Sequence, residues 1–237
     1  MSSAPPPLFA LAPGLHLVLA SASPRRQQFL ARWGLPFLLC PAPTEPRPAR
    51  RESPQDYTCR AAYAKARWAC DNLASCGPTP LPPGCAVILA ADTVVAVDGD
   101  ILGKPVDAGH ALRMLERLSG RGHEVVSAVC LLLPDGTGGQ RQRTFFQTSR
   151  VFFHAWPRSV LQAYVDTGEP QGKAGAYAMQ GAGCFLVRAV DGSSSNVIGL
   201  PVGELVQLLL QQQIILATFC FTVVGVLLAY LWFNIYP

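Results

Sequence analysis

The chain has 237 residues, enough for one generous α/β domain or two small ones. Hydrophobic residues make up 50% and charged residues 14%, with 21 Gly and 21 Pro spread along the chain, so wholesale disorder is excluded. The net charge of +4 is small, and its one dense basic patch (Arg47, Arg50, Arg51) lies beside Glu45 and Glu52, so no nucleic-acid partner is expected.

Residues 1–14 are broken by prolines and lack a charged n-region, and they read as a flexible segment rather than a secretory signal. From 15 to 210 the pattern alternates strand and helix. An apolar run at 16–20 leads into Ser21-Ala22-Ser23-Pro24-Arg25-Arg26, where Ser23 suits an N-cap and Pro24 the first helical position; Gly34 supplies the stop. After a Pro-rich loop at 41–54, a helix is predicted over 56–75 with a small-residue stripe of Ala62, Ala66 and Ala69. The apolar run 86–92 suits a central strand covered on both faces, and 94–97 continues to a turn at 98–100. Asp107 caps a helix over 108–118; a hairpin joins 125–133 to 144–154 through the Gly-rich turn at 134–139. A helix at 158–167, a strand at 184–190 and a helix from Pro201 follow. This order predicts an α/β fold, a mixed twisted sheet with helices on both faces.

Two features lie outside that alternation. Eight cysteines contain no Cys-x-x-Cys pair, which argues against structural zinc and for free thiols in a cytoplasmic chain. Residues 214–233 carry no charge over a length of about 30 Å as a helix, which predicts a transmembrane or tail-anchor helix on a cytosolic membrane face. A buried packing helix is the other reading.

Five places carry chemistry. The 21–26 turn offers unpaired helix-start amides and two arginines to a phosphate, although an ordinary capped helix has the same pattern. Asp92-Thr93 follows an apolar strand, at the edge where α/β sheets place ligands; such an Asp holds Mg²⁺, takes a proton from water, or simply forms a turn. Lys104 is framed by Gly103 and Pro105, and Lys65 sits among helical alanines. Lys173 and Gln180 belong to a glycine-rich stretch that lets backbone approach a ligand, and the Gln180 amide can read a base edge. Carboxylates, cations and an amide together point to hydrolysis of a phosphate ester or anhydride.

At these residues the chain resembles the Maf/septum-formation family of nucleoside triphosphate pyrophosphatases. The match runs through LASASPRR (19–26), Ala62-x-x-Lys65-Ala66, ILAADTVV (88–95), ILGKP (101–105), LSGRGHEV (118–125), TGEPQGKAGAYAMQG (167–181) and NVIGLP (196–201), covering nearly all of 15–210. The resemblance implies the Maf/inosine-triphosphatase-like fold, a homodimer, and hydrolysis between the α and β phosphates with Mg²⁺ or another divalent cation. It makes Asp92 the proton acceptor and, with Glu45, a metal ligand. Lys104 acts in catalysis, and Ser21, Arg26, Lys65 and Lys173 contact substrate. Arg25, Thr93 and Gln180 mark members acting on dTTP and UTP; members acting on 7-methyl-GTP carry an aromatic, Gln and Glu there. CTP or modified pyrimidine triphosphates are further candidate substrates. The alternative function is an impaired pyrimidine-nucleotide-binding protein tethered to a membrane. One departure stands out: Ser193-Ser194-Ser195 replaces the family's acid and aromatic before Asn196, which predicts a loss of loop order.

Overall fold

The computed structural model describes residues 7–43, 45–77, 81, 82 and 84–218. Its centre is a seven-stranded mixed sheet. β2 (His16–Leu19) lies between β3 (Phe37–Leu39) and β4 (Ala86–Val97), parallel to both. Beyond β4 the sheet turns antiparallel through β6 (Gly122–Pro134), β7 (Gln140–Phe153) and β8 (Val187–Asp191), while β5 (Asp100–Leu102) folds back on the end of β4. A separate two-stranded sheet pairs β1 (Phe9–Leu11) with β9 (Ile215–Ala217).

The helices form where local signals place them. α1 (Pro24–Arg32) starts with proline at its first position after Ser23. α2 (Pro54–Asp71) is capped by Ser53, whose Oγ accepts from Asp56 N at 3.0 Å. α3 (Ala108–Leu118) is capped by Asp107, which accepts from His110 N at 2.6 Å. α4 (Arg158–Asp166), the short α5 (Ser194–Ile198) and α6 (Val202–Gln211) complete the set.

β4 is buried along almost its whole length, and the two-residue period divides its side chains between two layers. Val87, Leu89 and Ala91 pack with Leu30 of α1, Trp33 just after it, and Leu205 and Leu209 of α6. Ala86, Ile88 and Ala90 pack against Ala62, Ala66 and Ala69 of α2, whose small side chains let that helix lie close to the sheet. At the far end Val95 and Val97 join α3 and α4 in a third cluster. This alternation decides the site. Asp92 continues the even row toward α2, and Thr93 continues the odd row toward α1.

Five expectations are corrected. The strand predicted at 86–92 runs on to Val97, so Asp92-Thr93 lies inside it rather than at its edge, because the ladder to β6 is unbroken from Ile88 to Ala96 across the polar doublet. The last strand starts later, after a 3₁₀ turn at Ala182–Leu186. Cys40 and Cys76 form a disulfide with Cα atoms 5.0 Å apart, so the thiols are not all free; Cys59, Cys70, Cys85, Cys130 and Cys184 are. The fourth concerns the C-terminus. No helix among the described residues is long and apolar enough to cross a membrane, so the membrane helix, the membrane association and the anchored location are not supported. The apolar run begins as strand rather than helix: Ile214 and Ile215 are buried in the α1/α6 cluster, and Leu11 pairs with Ile215. The rest of that run, from 219, lies outside the described residues. At the other end, Phe9–Leu11 is ordered by the same pairing, inside the segment expected to be flexible.

Candidate active site

Asp92 is 4% exposed and its Oδ1 accepts from Lys65 Nζ at 2.5 Å. Lys65, on the α2 face that meets the sheet, is 7% exposed and also donates to Glu45 Oε1 at 2.9 Å. The same oxygen accepts from Lys104 Nζ at 2.8 Å. A buried ammonium is stable here because two carboxylates neutralise it. Burial pushes the Glu45 carboxyl upward, but Lys65 and Lys104 outweigh that and hold it down to about 2.

Glu45 comes from the long loop between β3 and α2, which α2 itself fastens. Tyr57 Oη donates to Pro46 O at 3.1 Å. Burial, together with the charges of Asp92 and Glu45, pushes that phenol up to about 12, so it stays a donor. Arg60 grips Glu52 through Nε at 2.7 Å and Nη2 at 2.6 Å, and donates to Arg47 O at 3.0 Å. The basic patch is thus partly folded into the site's scaffold.

On the opposite face of β4, Arg26 is 7% exposed and its guanidinium is bonded inward. Nε donates to Gly199 O (2.9 Å), Nη1 to Ser21 Oγ (3.0 Å) and Ala91 O (2.8 Å), and Nη2 to Thr93 Oγ1 (3.0 Å). Arg26 therefore ties the β2–α1 turn, β4 and the α5–α6 connection together. Thr93 lies opposite Ser127 in the ladder, with the hydroxyls 2.8 Å apart. Ser127 Oγ donates to Asn196 O at 2.9 Å. The Asn196 amide donates to Val125 O and Ser149 Oγ, each at 3.0 Å, within a wholly buried side chain. The serine substitution keeps this loop ordered: Ser193 Oγ caps α5, accepting from Asn196 N at 3.3 Å, and Ser195 Oγ accepts from Val202 N at 3.2 Å.

Arg25, Lys173 and Gln180 form the third group. Lys173 precedes a 3₁₀ turn, Ala174–Ala176, attached to the Lys104 loop by Gly175 N donating to Gly103 O at 3.1 Å. Burial lowers the Arg25 guanidinium, opposed by Glu169 and Tyr164. Burial and the charge of Arg25 lower Lys173, opposed again by Glu169. Gln180 is exposed on the loop 178–183.

The residues picked out in the sequence thus fall into three groups: Asp92, Lys65, Glu45 and Lys104 on one face of β4, Ser21, Arg26 and Thr93 on the other, and Arg25 with Lys173 near the loop that carries Gln180. Their jobs differ more than adjacency suggests. Arg25 faces the Lys173 loop, whereas its neighbour Arg26 is spent on the frame. Sequence reasoning missed Tyr57, Ser127 and Glu169, whose partners lie 11, 34 and 14 residues away. Glu169 lies within the 167–181 stretch, where its acidity among glycines and a lysine was the available signal. A shallow cleft between β7 and α6, lined by residues such as Arg143, Phe146, Glu204 and Gln211, shares none of these groups.

Among the described residues no three His, Cys, Asp or Glu side chains gather as a metal site. Mg²⁺ needs fewer, since it commonly binds one or two carboxylates together with substrate phosphates and water. Asp92 and Glu45 fit that demand: both bond to one ammonium through a single oxygen, leaving Asp92 Oδ2 and Glu45 Oε2 without hydrogen bonds among the described residues.

A buried carboxylate braced by lysine, with further cations on both faces of the central strand of a mixed α/β sheet, is an arrangement suited to a phosphoanhydride. The chain belongs to the Maf-like protein family, whose model matches residues 16–212. Curated relatives named dTTP/UTP pyrophosphatase include one from Nitratidesulfovibrio vulgaris, 48% identical over 83% of this chain and 87% of its own. Those from Oleidesulfovibrio alaskensis (46%, covering 80% and 81%) and Myxococcus xanthus (44%, covering 81% and 90%) carry the same name. A solved dITP/XTP pyrophosphatase from Mycobacterium abscessus aligns with a TM-score of 0.40 at 16% identity, over 81% of this chain and 92% of its own.

Proposed function

We propose that the protein hydrolyses dTTP and UTP to the nucleoside monophosphate and pyrophosphate. The observation that carries this reading is the Asp92–Lys65–Glu45–Lys104 chain of hydrogen bonds, which starts from a buried pair on β4 and runs outward to the surface, in a member of a family whose similar relatives bear that activity in their name.

Lys65 fixes the direction of the Asp92 carboxylate. Asp92 accepts the proton of a water whose oxygen forms the new bond to the α phosphorus. The bond from that phosphorus to the α–β bridging oxygen breaks, and its electron pair leaves with pyrophosphate. Lys104 and Lys173 neutralise the charge growing there. Asp92 and Glu45 would hold a divalent cation, which would supply further neutralisation of the developing charge when bound. Arg26, Ser21 and Thr93 give the pocket its shape from behind, since their polar atoms bond one another. Arg25 and Gln180 stand at the base side, where a Gln amide offers a donor and an acceptor as a pyrimidine edge requires.

The test is pyrophosphate release by the full chain with Mg²⁺ and a nucleotide panel. Turnover is expected on dTTP and UTP, falling about 100-fold or more in Asp92→Asn with dTTP binding retained. Binding of dTTP without turnover by the unaltered protein would overturn the enzyme reading in favour of a nucleotide-binding protein.

A further inference from the structure

The loop 178–183 presents Gln180, and both of its ends are held by side chains from outside it. At the start, Ala178 N donates to Tyr164 Oη at 3.2 Å. At the end, Gly183 N donates to Glu169 Oε2 at 3.0 Å. The fit is close. A Cβ on Gly181, whose φ is +115°, would come 2.0 Å from Glu169 Oε1, and one on Gly183 would come 2.5 Å from Tyr164 Oη. Lys173 Nζ donates to the main-chain carbonyl of Glu169, and the Glu169 charge acts on both Arg25 and Lys173. One carboxylate therefore touches the loop that carries Gln180 and acts through its charge on Arg25.

We infer that Glu169 is a positioning residue for nucleobase selection: it fixes the 178–183 loop through Gly183 and sets the charge around Arg25, so that Gln180 and Arg25 meet the base together. This rests on the pyrophosphatase reading above and adds a specificity determinant to it. Glu169 touches no reacting atom in this scheme, so its removal acts on recognition rather than on the chemical step.

Glu169→Ala and Glu169→Gln separate the two contributions. Gln retains an acceptor for Gly183 N and loses the charge; Ala loses both. For Glu169→Ala, KM for dTTP and UTP should rise about tenfold and the preference over purine triphosphates should narrow by a similar factor, with kcat within about twofold. Amide hydrogen exchange should quicken within 178–183 and stay unchanged in β4 and β6. Glu169→Gln should restore the exchange protection and only part of KM. Unchanged KM and selectivity in Glu169→Ala, or an equal loss of kcat on every nucleotide with loop exchange unaltered, would overturn the inference. If the unaltered protein turns over nothing, the pyrophosphatase reading fails separately. Equilibrium dialysis of dTTP against both proteins then decides the role of Glu169: weaker binding by the variant supports it, equal binding refutes it.

Discussion

Lys65 is the only hydrogen-bond donor to the Asp92 carboxylate among the described residues, whereas Lys65 itself has a second acceptor in Glu45. Replacement of each partner should therefore be unequal. Lys65→Met keeps the volume but leaves a carboxylate that is 4% exposed without its counter-charge, which costs about 3–5 kcal/mol when a buried pair is broken. Asp92→Asn keeps an acceptor oxygen, and Glu45 still neutralises Lys65, so a loss of about 1–2 kcal/mol is expected. The double variant removes both buried charges and should lie well short of the sum, with a coupling of about 2–3 kcal/mol. Urea unfolding of the four proteins at neutral pH measures all three quantities. Losses that add to within about 0.5 kcal/mol would refute the reasoning, and so would an Asp92→Asn loss equal to that of Lys65→Met.

Two further outcomes follow from other groups. Arg26→Lys replaces a fork bonded to four acceptors on three segments by a single ammonium, and should destabilise by about 2–3 kcal/mol in denaturant melts. Burial holds His123 down to about 4, below its ordinary value of 6.5, with Nε2 2.9 Å from Tyr177 Oη and the ring edge-on to Phe153. The unfolded chain takes up that proton first as the pH drops. The stabilisation is therefore complete above about pH 6.5 and lost as pH falls through 4, by roughly 3 kcal/mol. His123→Phe should flatten this slope in a pH series of melts.

Much of the architecture was legible because local signals agreed with the fold. Asp107, Pro24 and the Gly-rich 134–139 turn each mark a boundary that hydrogen bonding or fixed backbone angles enforce at short range. The polar doublet Asp92-Thr93 was legible as chemistry but misleading as structure, since it interrupts the apolar pattern of a strand that continues through it. The uncharged C-terminal run misled for the opposite reason: without polar residues there is no period to tell strand from helix, and Ile215 pairs with Leu11, about two hundred residues away in the chain. Arg25 and Arg26 are chemically identical neighbours, and only the packing of β4 and the Gly199 carbonyl shows which one is consumed by the frame. Ser127 and Glu169 act through partners that only the folded sheet brings near.

The pairing of β1 with β9 acts as a clasp. Phe9 N reaches Trp33 O at 3.1 Å and Thr218 N reaches Leu8 O at 3.2 Å, so the first and last described strands meet beside the C-terminal end of α1. The arginines at the other end of that helix lie its full length away, ~13 Å. A circular permutant that joins the two strands by a short linker and opens the chain at the 134–139 turn should consequently keep both the fold and the site. A chain cut at Leu210 would instead unzip β1 and bare the apolar surface that Ile214 and Ile215 cover.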